Sequence, residues 1–338
     1  MFDTEKVRET MAGDPYPVVK AAVVQASPVY LNRDASVEKA VRLTAEAAAA
    51  GARIVAFGES WLPGYPVWFD SGPNAALWGE QTTKELHAEL VANSVVIPSP
   101  ATEALGAAAR EHGVYLVIGV HERLDQQNRG TLYNTILYFG PDGMLQGLHR
   151  KLVPTYQERM VWGQGDGSTL TVIDTPYGRL GGLVCWEHAM PLARQAMHMK
   201  GEQIHVAVWP AGWDMHQVMS RHYAFEGRTF VLAAASVVRV DDMPSHLPGL
   251  QALKPMEGDF LIEGGSAIIG PDGMYLAGPV YKEETILYAD LDMRRVAEEL
   301  TTLDVVGHYN RPDIFELRVN ETPRQGIGNV LLATPRDL

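Results

Sequence analysis

The stretch LGGLVCWEHAMPLAR, residues 180–194, contains the only cysteine of the chain, Cys185. An apolar run ends abruptly at Cys185, and the polar Glu187 and His188 lead into a helix-compatible segment. This order predicts a buried strand that delivers a nucleophile to a sharp strand-to-helix turn, where its side chain faces a cleft. Free cysteine is also among the most buried residue types, so Cys185 alone leaves a purely structural role open.

Two other places in the chain repeat this pattern of an apolar strand followed by a reactive polar residue. Glu59 follows the short apolar run at 54–57, and Lys151 follows a predicted strand at 144–150. Because strand ends at one edge of a sheet converge in space, we expect Glu59, Lys151 and Cys185 to form one cluster at a single sheet edge.

These three side chains have complementary chemistry. A thiol with a reference pKa of about 8.5 is mostly protonated at neutral pH, so Glu59 would serve as the general base. Lys151 would favour the thiolate and stabilise negative charge that develops on a substrate. Such a cluster suits attack on an electrophilic carbon bonded to nitrogen. Taken singly, Glu59 could instead cap a loop and Lys151 could be a solvated basic residue.

Predicted helices and strands alternate along the chain, yet several hairpins occur, which indicates mixed sheets with helices on their outer faces. We predict strands at 18–25, 54–57, 114–121, 132–139, 144–150, 171–175, 179–185, 204–209, 230–240, 266–270, 274–277 and 285–291. We predict helices at about 32–50, 101–112, 191–200, 215–226 and 292–300. The segments 60–74 and 241–264 are predicted to be irregular because they are rich in proline and glycine, the second being a loop or lid.

Two similar segments, TILYFGPDGM at 135–144 and SAIIGPDGM at 266–274, both predict a strand, a Pro-Asp-Gly turn and another strand. They indicate two related halves packed together, although Pro-Asp-Gly is also a common turn. No change of composition marks a boundary between them. We therefore expect an N-terminal segment at 1–17, a single domain at 18–317 and a C-terminal tail at 318–338.

Composition and charge exclude several classes of partner. The 338 residues are 46% hydrophobic and carry a net charge of -13. An acidic surface repels phosphate backbones and anionic lipid, which argues against nucleic acid and membrane partners. A single cysteine and no signal-peptide pattern favour a reducing cytoplasm. The eleven histidines lack ligand spacing and no nucleotide-binding motif is present, so neither a metal nor a cofactor is predicted.

All seven tryptophans lie between positions 61 and 213, near the predicted reactive residues. Their placement suggests an apolar pocket for an uncharged substrate, or else a subunit interface. We select Trp61, Trp186 and Trp209 as candidate substrate contacts. His188 follows the nucleophile by three positions, for which we expect a structural or substrate-side role.

Four segments resemble the nitrilase superfamily of carbon–nitrogen hydrolases, and in particular its nitrilase branch. Three of them carry the family's reactive residues as Glu59, Lys151 with Glu158, and Cys185. The fourth resembles the segment that closes nitrilase catalytic domains. The segments are FGESWLPGYP at 57–66, HRKLVPTYQERMVWGQGDGS at 149–168, GGLVCWEHAMPLAR at 181–194 and GHYNRPDIF at 307–315.

The resemblance implies an α/β fold, a four-layer α-β-β-α sandwich in one domain, whose monomers pair through helices into dimers that often extend into spirals or filaments. It implies hydrolysis of an organic nitrile to a carboxylic acid and ammonia through a cysteine thioimidate, without a cofactor. Glu158 would position Lys151 or the substrate. His188 stands where many nitrilases carry Asn, which leaves the substrate preference open. The alternatives are an amidase or carbamoylase with the same cluster, a cyanide hydrolase, and a non-catalytic scaffold.

Overall fold

The computed structural model describes residues 16–124, 130–255 and 258–324. The predicted N-terminal segment and C-terminal tail therefore lie mostly outside the described residues. The strands, in chain order, are β1 Val18–Gln25, β2 Ile54–Phe57, β3 Tyr115–Arg123, β4 Leu132–Phe139, β5 Leu145–Arg150, β6 Val172–Thr175, β7 Gly178–Val184, β8 Ile204–Trp209, β9 Phe230–Ala235, β10 Val237–Arg239, β11 Phe260–Ile269, β12 Tyr275–Tyr281 and β13 Thr285–Asp292. The α-helices are α1 Arg33–Ala49, α2 Trp68–Ser71, α3 Gln81–Asn93, α4 Pro100–His112, α5 Pro191–Met199, α6 Asp214–Gly227, α7 Pro248–Gln251 and α8 Arg294–Glu299.

The strands form two sheets with the same sequence of pairings. The first sheet has the order β13-β1-β2-β3-β4-β5, with parallel pairs at β1–β2 and β2–β3 and antiparallel pairs elsewhere. In the second, β6, β7, β8, β9, β11 and β12 repeat that pattern, with parallel pairs at β7–β8 and β8–β9. The two Pro-Asp-Gly turns join β4 to β5 and β11 to β12, at matching positions. The shared topology agrees with the predicted related halves.

Alternating side chains of the first sheet divide between two apolar cores. Val19, Ala21 and Val23 of β1 face the second sheet and share a core with β7, β8 and β9. Ala22 and Val24 face outward, where they pack with buried residues of α1 and α4. Because both faces are covered, these strands are continuously apolar, which is typical of buried parallel strands. The resulting layers are the expected α-β-β-α sandwich, since α5 and α6 pack on the outer face of the second sheet.

The two helices that cover the first sheet begin and end where the sequence predicts. The side chain of Asn32 accepts a hydrogen bond from the amide of Ala35 and so caps α1. Pro100 occupies the first turn of α4, and Gly113 ends this helix with a φ of 62°. Within the described residues, no helix combines the length and the apolar character needed to cross a membrane.

Three sequence predictions about local structure are wrong, and one helix was not predicted. The segment 60–74 contains α2, because a proline just before a helix does not oppose it. The helix α3 was not predicted, since it buries only Leu86 and Leu90 and so lacks a clear apolar stripe. The predicted strand at 230–240 is broken after Ala235 into β9 and β10. The predicted loop at 241–264 contains α7 and the beginning of β11.

Candidate active site

Cys185 lies at the end of β7, as the sequence predicts, and begins a 3-10 helix at Cys185–Ala189. Its φ is 54°, in the left-handed region that residues with a Cβ atom rarely adopt. The side chain is 2% exposed and lies in the wall of a cavity. Strained backbone of this kind persists only where surrounding contacts hold it, and it is frequent at the nucleophiles of hydrolases.

Glu59, Lys151 and Glu158 form a buried ion cluster beside this cysteine. Lys151 Nζ lies 3.1 Å from Glu59 Oε1 and 2.6 Å from Glu158 Oε2. One oxygen of each of the two carboxylates and the sulfur of Cys185 all lie within 4.8 Å of one another. The structure therefore brings the four predicted side chains into one site.

The cluster forms between two sheets rather than at the edge of one, which corrects the sequence prediction. Glu59 and Lys151 follow β2 and β5 of the first sheet, whereas Cys185 follows β7 of the second. Face-to-face packing of the sheets brings these strand ends together. The backbone on both sides of Glu59 passes β3 so closely that a Cβ at Gly119 would lie 2.4 Å from the carbonyl oxygen of Gly58 and 2.6 Å from the amide nitrogen of Ser60. Glycine at position 119 is therefore needed to admit the Glu59 loop.

Additional hydrogen bonds fix the two carboxylates. Asn134 Nδ2 donates to Glu59 Oε1 at 2.6 Å. Glu158 Oε2 accepts from the amide of Thr155 at 2.7 Å, and Glu158 Oε1 accepts from the hydroxyl of Tyr65 at 2.9 Å. Among the described residues, the buried Glu59 Oε2 has no hydrogen-bond partner. This oxygen is therefore free to accept a proton.

Burial and mutual charge shift the protonation of the cluster. Desolvation raises the pKa of Glu59 to about 7, although Lys151 opposes the shift. Desolvation, followed by the charge of Glu59, raises the pKa of the Cys185 thiol well above its usual value, and the lowering effect of Lys151 is smaller. Desolvation lowers the pKa of Lys151, but the surrounding acidic groups outweigh it and hold this pKa above its ordinary value. At neutral pH the site therefore holds a thiol, an ammonium and a carboxyl group near its titration midpoint.

Glu187, to which the sequence assigned no role, links the Cys185 loop to the Lys151 loop. Its carboxylate accepts from the amide of Val184 at 2.6 Å and from the amide of Leu152 at 2.7 Å. It also lies 2.8 Å from His149 Nε2, while His149 Nδ1 lies 2.8 Å from the carbonyl oxygen of Thr169. Because both partners of His149 only accept hydrogen bonds, both ring nitrogens carry protons and the pair is ionic. Desolvation raises the pKa of Glu187, but His149 and the two amides outweigh it and hold this pKa below its usual value.

A cavity of about 860 Å³ opens onto Cys185. Its wall is largely aromatic and apolar, and its charged members among the described residues are all acidic. The aromatic members are Tyr65, Tyr156, Trp186, Trp213, His216, Phe260 and Tyr281, and the acidic members are Asp70, Glu158, Asp214 and Glu263. A cavity of this size and lining suits a small organic molecule.

Only one of the four predicted substrate contacts lies in the cavity wall. Trp186 lines it and is 43% exposed. Trp61 is fully buried and donates to the carbonyl oxygen of Ala26, and Trp209 is buried against α6 through Ser220. His188 is 2% exposed and bonds behind Cys185 instead. These three side chains lie away from the cavity because they pack in the core, where burial stabilises an aromatic ring as well as it does in a cavity wall.

Three residues of the cavity wall lie near strand ends, as the predicted reactive residues do. Tyr65 lies in the Pro- and Gly-rich segment 60–74 that directly follows Glu59, and Trp213 follows the end of β8. Tyr281 ends β12, the counterpart of β5 in the duplicated topology. The equivalent strand ends of the two halves therefore point to cavity residues.

The same three side chains, Glu59, Glu158 and Cys185, are spaced as ligands of a metal ion would be. Lys151 Nζ, however, already lies within hydrogen-bond distance of both carboxylates. The ammonium group thus provides the positive charge that a bound cation would bring, and we assign the cation position to Lys151.

Comparison with known proteins places this fold and site in a family. Residues 20–298 match the family model described as carbon-nitrogen hydrolase. An aliphatic nitrilase of Sinorhizobium fredii is 43% identical over 311 residues, covering 91% of this chain and 97% of the relative. Nitrilase 2 of Arabidopsis thaliana is 41% identical over 313 residues, with 92% and 91% coverage. The crystal structure of Saccharomyces cerevisiae Nit3, a member of branch 10 of the nitrilase superfamily, superposes with a TM-score of 0.68 at 19% identity, covering 87% of this chain and 97% of that one.

Proposed function

We propose that this chain, which belongs to the carbon–nitrogen hydrolase family and within it to the nitrilase branch, hydrolyses an organic nitrile to a carboxylic acid and ammonia. The observation that carries the proposal is the meeting of a thiol, a carboxyl group of pKa about 7 and an ammonium group in one buried cluster, whose thiol opens onto the cavity. Relatives at about 40% identity over nine-tenths of the chain are nitrilases.

The reaction begins with the Cys185 thiol, which is protonated at rest. Glu59 Oε2 takes the thiol proton as the sulfur adds to the nitrile carbon, and the carboxyl group then gives a proton to the nitrogen. The product is a covalent thioimidate. A pKa of about 7 suits this role, because the carboxyl group must accept and release protons with equal ease.

Water then adds to the thioimidate, with Glu59 again accepting a proton. The tetrahedral centre expels ammonia and leaves a thioester, which a second water hydrolyses to the acid and free Cys185. Expulsion of the sulfur from the first tetrahedral centre would instead release the amide. Lys151 stabilises the charge that develops at these centres, and Glu158 holds Lys151 in place at 2.6 Å.

The cavity favours an uncharged substrate with an apolar group. Trp186, Trp213 and Phe260 offer aromatic surfaces, whereas Asp70 and Asp214 would repel a substrate carboxylate. Among the described residues that line the cavity, none is lysine or arginine. We therefore assign aryl and arylalkyl nitriles without an anionic group as the preferred class.

The test is a panel of nitriles and the corresponding amides, with ammonia, acid and amide measured for the wild-type chain and for Cys185→Ala. We expect the wild type to convert nitriles faster than amides, and Cys185→Ala to lose turnover while its circular dichroism stays unchanged. Ammonia release by Cys185→Ala near the wild-type rate would show that the nucleophile is another group.

The same panel separates the related activities. Faster turnover of amides or carbamoyl compounds would make the chain an amidase or carbamoylase, and formate from cyanide would make it a cyanide hydrolase. The predicted homo-oligomer stays a prediction. It is supported by exposed large apolar side chains on α6, among them Val218 and Phe225, which are 57% and 47% exposed.

A further inference from the structure

A second buried polar group lies behind Cys185, and the reaction described above makes no use of it. His188 Nδ1 lies 2.6 Å from the carbonyl oxygen of Cys185, and His188 Nε2 lies 2.9 Å from His205 Nε2. His205 Nδ1 lies 2.8 Å from Glu202 Oε1, and the hydroxyl of Tyr223 donates to Glu202 Oε2 at 2.6 Å. We call His188, His205, Glu202 and Tyr223 the His188 relay. All four are at most 5% exposed, and none lines the cavity.

The direction of every hydrogen bond in the His188 relay follows from its first member. A carbonyl oxygen can only accept, so His188 Nδ1 carries a proton and donates to Cys185. Desolvation, together with the neighbouring His205, keeps the pKa of His188 well below its usual value, so this imidazole is neutral and its Nε2 accepts. His205 must then donate from Nε2.

The last link of the His188 relay carries one proton between Glu202 and His205. Desolvation raises the pKa of Glu202 to about 8 and lowers the pKa of His205 well below its usual value. The proton therefore resides on Glu202, which donates to His205 Nδ1 and accepts from Tyr223. The direction of the bond to Cys185 is the same wherever this proton lies, because it follows from the carbonyl group alone.

The hydrogen bond to Cys185 controls a peptide group that faces the reacting atoms. The carbonyl of Cys185 and the N–H of Trp186 belong to one planar peptide unit and point in opposite directions. Holding the carbonyl behind the loop therefore directs the Trp186 N–H towards the side on which both residues line the cavity. The left-handed φ of Cys185 leaves this peptide dependent on such contacts.

We propose that His188 is a positioning residue, which holds the Cys185–Trp186 peptide so that the Trp186 N–H donates to the oxygen of the tetrahedral intermediates. His205 and Glu202 in turn hold the imidazole of His188, and Trp209 packs against it with ring centroids 4.7 Å apart. The inference rests on the proposed function for its substrate, but its geometry does not depend on which nitrile is used.

Two probes of Cys185 distinguish positioning from general support of the fold. Phenylacetaldehyde forms a thiohemiacetal in which sulfur bonds to the carbonyl carbon and the thiol proton moves to oxygen, so its affinity reports a donor to that oxygen. Iodoacetamide alkylates the sulfur as iodide leaves and Glu59 accepts the thiol proton, and no charge develops on a substrate oxygen, so its rate reports only the thiol and its base. Removal of a positioning residue should lower the affinity for phenylacetaldehyde far more than the rate of alkylation by iodoacetamide.

For His188→Ala we expect kcat for a nitrile to fall by about 10- to 100-fold with KM changed less than about threefold, since a transition-state contact is lost. The affinity for phenylacetaldehyde should fall by about tenfold or more, and alkylation by iodoacetamide should change by less than about threefold. Wild-type kcat and aldehyde affinity in this variant would overturn the inference. An equal loss in kcat, in aldehyde affinity and in alkylation rate would also overturn it, since that pattern means general disorder of the Cys185 loop.

Glu202→Gln and Glu202→Leu form a matched pair within the His188 relay. The amide of glutamine can donate to His205 Nδ1 and accept from Tyr223, as the protonated acid does, so kcat should stay within about threefold of the wild type. Leucine can do neither, and its variant should follow His188→Ala in both kcat and aldehyde affinity. Equal behaviour of the two variants would contradict the relay. If the wild type hydrolysed no nitrile, the proposed function would fail, and the aldehyde measurements would still decide this inference.

Discussion

Cys185 lies between two buried polar groups that differ in how completely their hydrogen bonds are satisfied. In front are Glu59, Lys151 and Glu158, which we call the front cluster, where Glu59 Oε2 has no partner among the described residues. Behind is the His188 relay, in which both ring nitrogens of each histidine and both oxygens of Glu202 have partners. An unpaired buried polar atom is costly, so the free oxygen of Glu59 beside the nucleophile requires an explanation.

The explanation is that the two groups perform different tasks. The front cluster must change its protonation during the reaction, and the free oxygen of Glu59 is where the thiol proton goes. The His188 relay must hold one peptide still, which a chain of neutral and fully paired groups does best. A substitution that keeps the shape of a side chain but removes its titratable proton should therefore lower kcat strongly in the front cluster and only slightly in the His188 relay.

The largest contrast is expected between Glu59→Gln and the shape-preserving Glu202→Gln. Glutamine at position 59 fills the same space but cannot accept the thiol proton, so kcat for a nitrile should fall by about 1000-fold or more. Lys151→Ala should lose a comparable factor, because it removes the charge that stabilises the tetrahedral centres. Steady-state release of ammonia measures both losses.

The pH dependence of the wild type provides the control for Glu59. As a base, Glu59 acts when ionised, so kcat/KM should rise with pH through about 7, the pKa to which burial raises this group. The rise should be absent from the residual activity of Glu59→Gln. A variant that keeps wild-type turnover would remove Glu59 from the mechanism.

A smaller loss is expected at Glu187, whose carboxylate bonds to His149 and to the amides of Leu152 and Val184 rather than to the cavity wall or to a side chain of the His188 relay. Glu187→Gln can no longer accept from both backbone amides and leaves the imidazolium of His149 without its counter-charge. We expect about 2–4 kcal/mol of lost stability by urea unfolding and a 10- to 100-fold lower kcat, since the loops that carry Cys185 and Lys151 would move apart. Arg318→Gln, which breaks an exposed ion pair with Glu316, is the control and should change neither the stability nor kcat. Unchanged stability in Glu187→Gln would contradict its role as a link.

Two members of the front cluster, Glu59 and Lys151, could be predicted from the sequence because each follows a strand, whereas Glu158 was indicated only by the family resemblance. Strand ends carry a local signal, and Glu59, Lys151 and Cys185 each show it. What the sequence did not indicate is that these ends belong to two sheets, since the pairing of distant strands leaves no mark in a local pattern. The duplicated Pro-Asp-Gly hairpins were the one clue, and they indicated two halves without showing how the halves face each other.

The His188 relay could not be predicted, and the reason is physical. His188, Glu202 and His205 are polar residues within or beside apolar segments, where each could equally be exposed at an element end. Their burial depends on mutual hydrogen bonds that only the packed structure defines. Trp61 and Trp209 were predicted to contact the substrate but lie in the core, outside the cavity lining. The sequence could not distinguish the two places, because an aromatic side chain near a reactive residue fits the core and a substrate cavity equally well.

The last expected effect concerns protein stability as a function of pH rather than turnover, and it tests the protonation of the His188 relay. Desolvation raises the folded-state pKa of Glu202 to about 8, against smaller opposing effects of Tyr223, His198 and His149, whereas the unfolded chain has its ordinary value near 4.5. Between these values the folded protein holds a proton that the unfolded chain has released. This contribution to stability is therefore present below about pH 4.5 and is lost as the pH rises towards 8, by up to about 1.4 kcal/mol per pH unit.

Glutamine does not titrate, so urea unfolding should show Glu202→Gln gaining stability relative to the wild type from pH 5 to 8, with the similar shift of Glu59 cancelling in the comparison. A Glu202→Gln variant that is equally destabilised at every pH would mean that the wild-type relay contains an ionised Glu202 paired with a charged His205, and the two sides of Cys185 would then be less different than their geometry indicates.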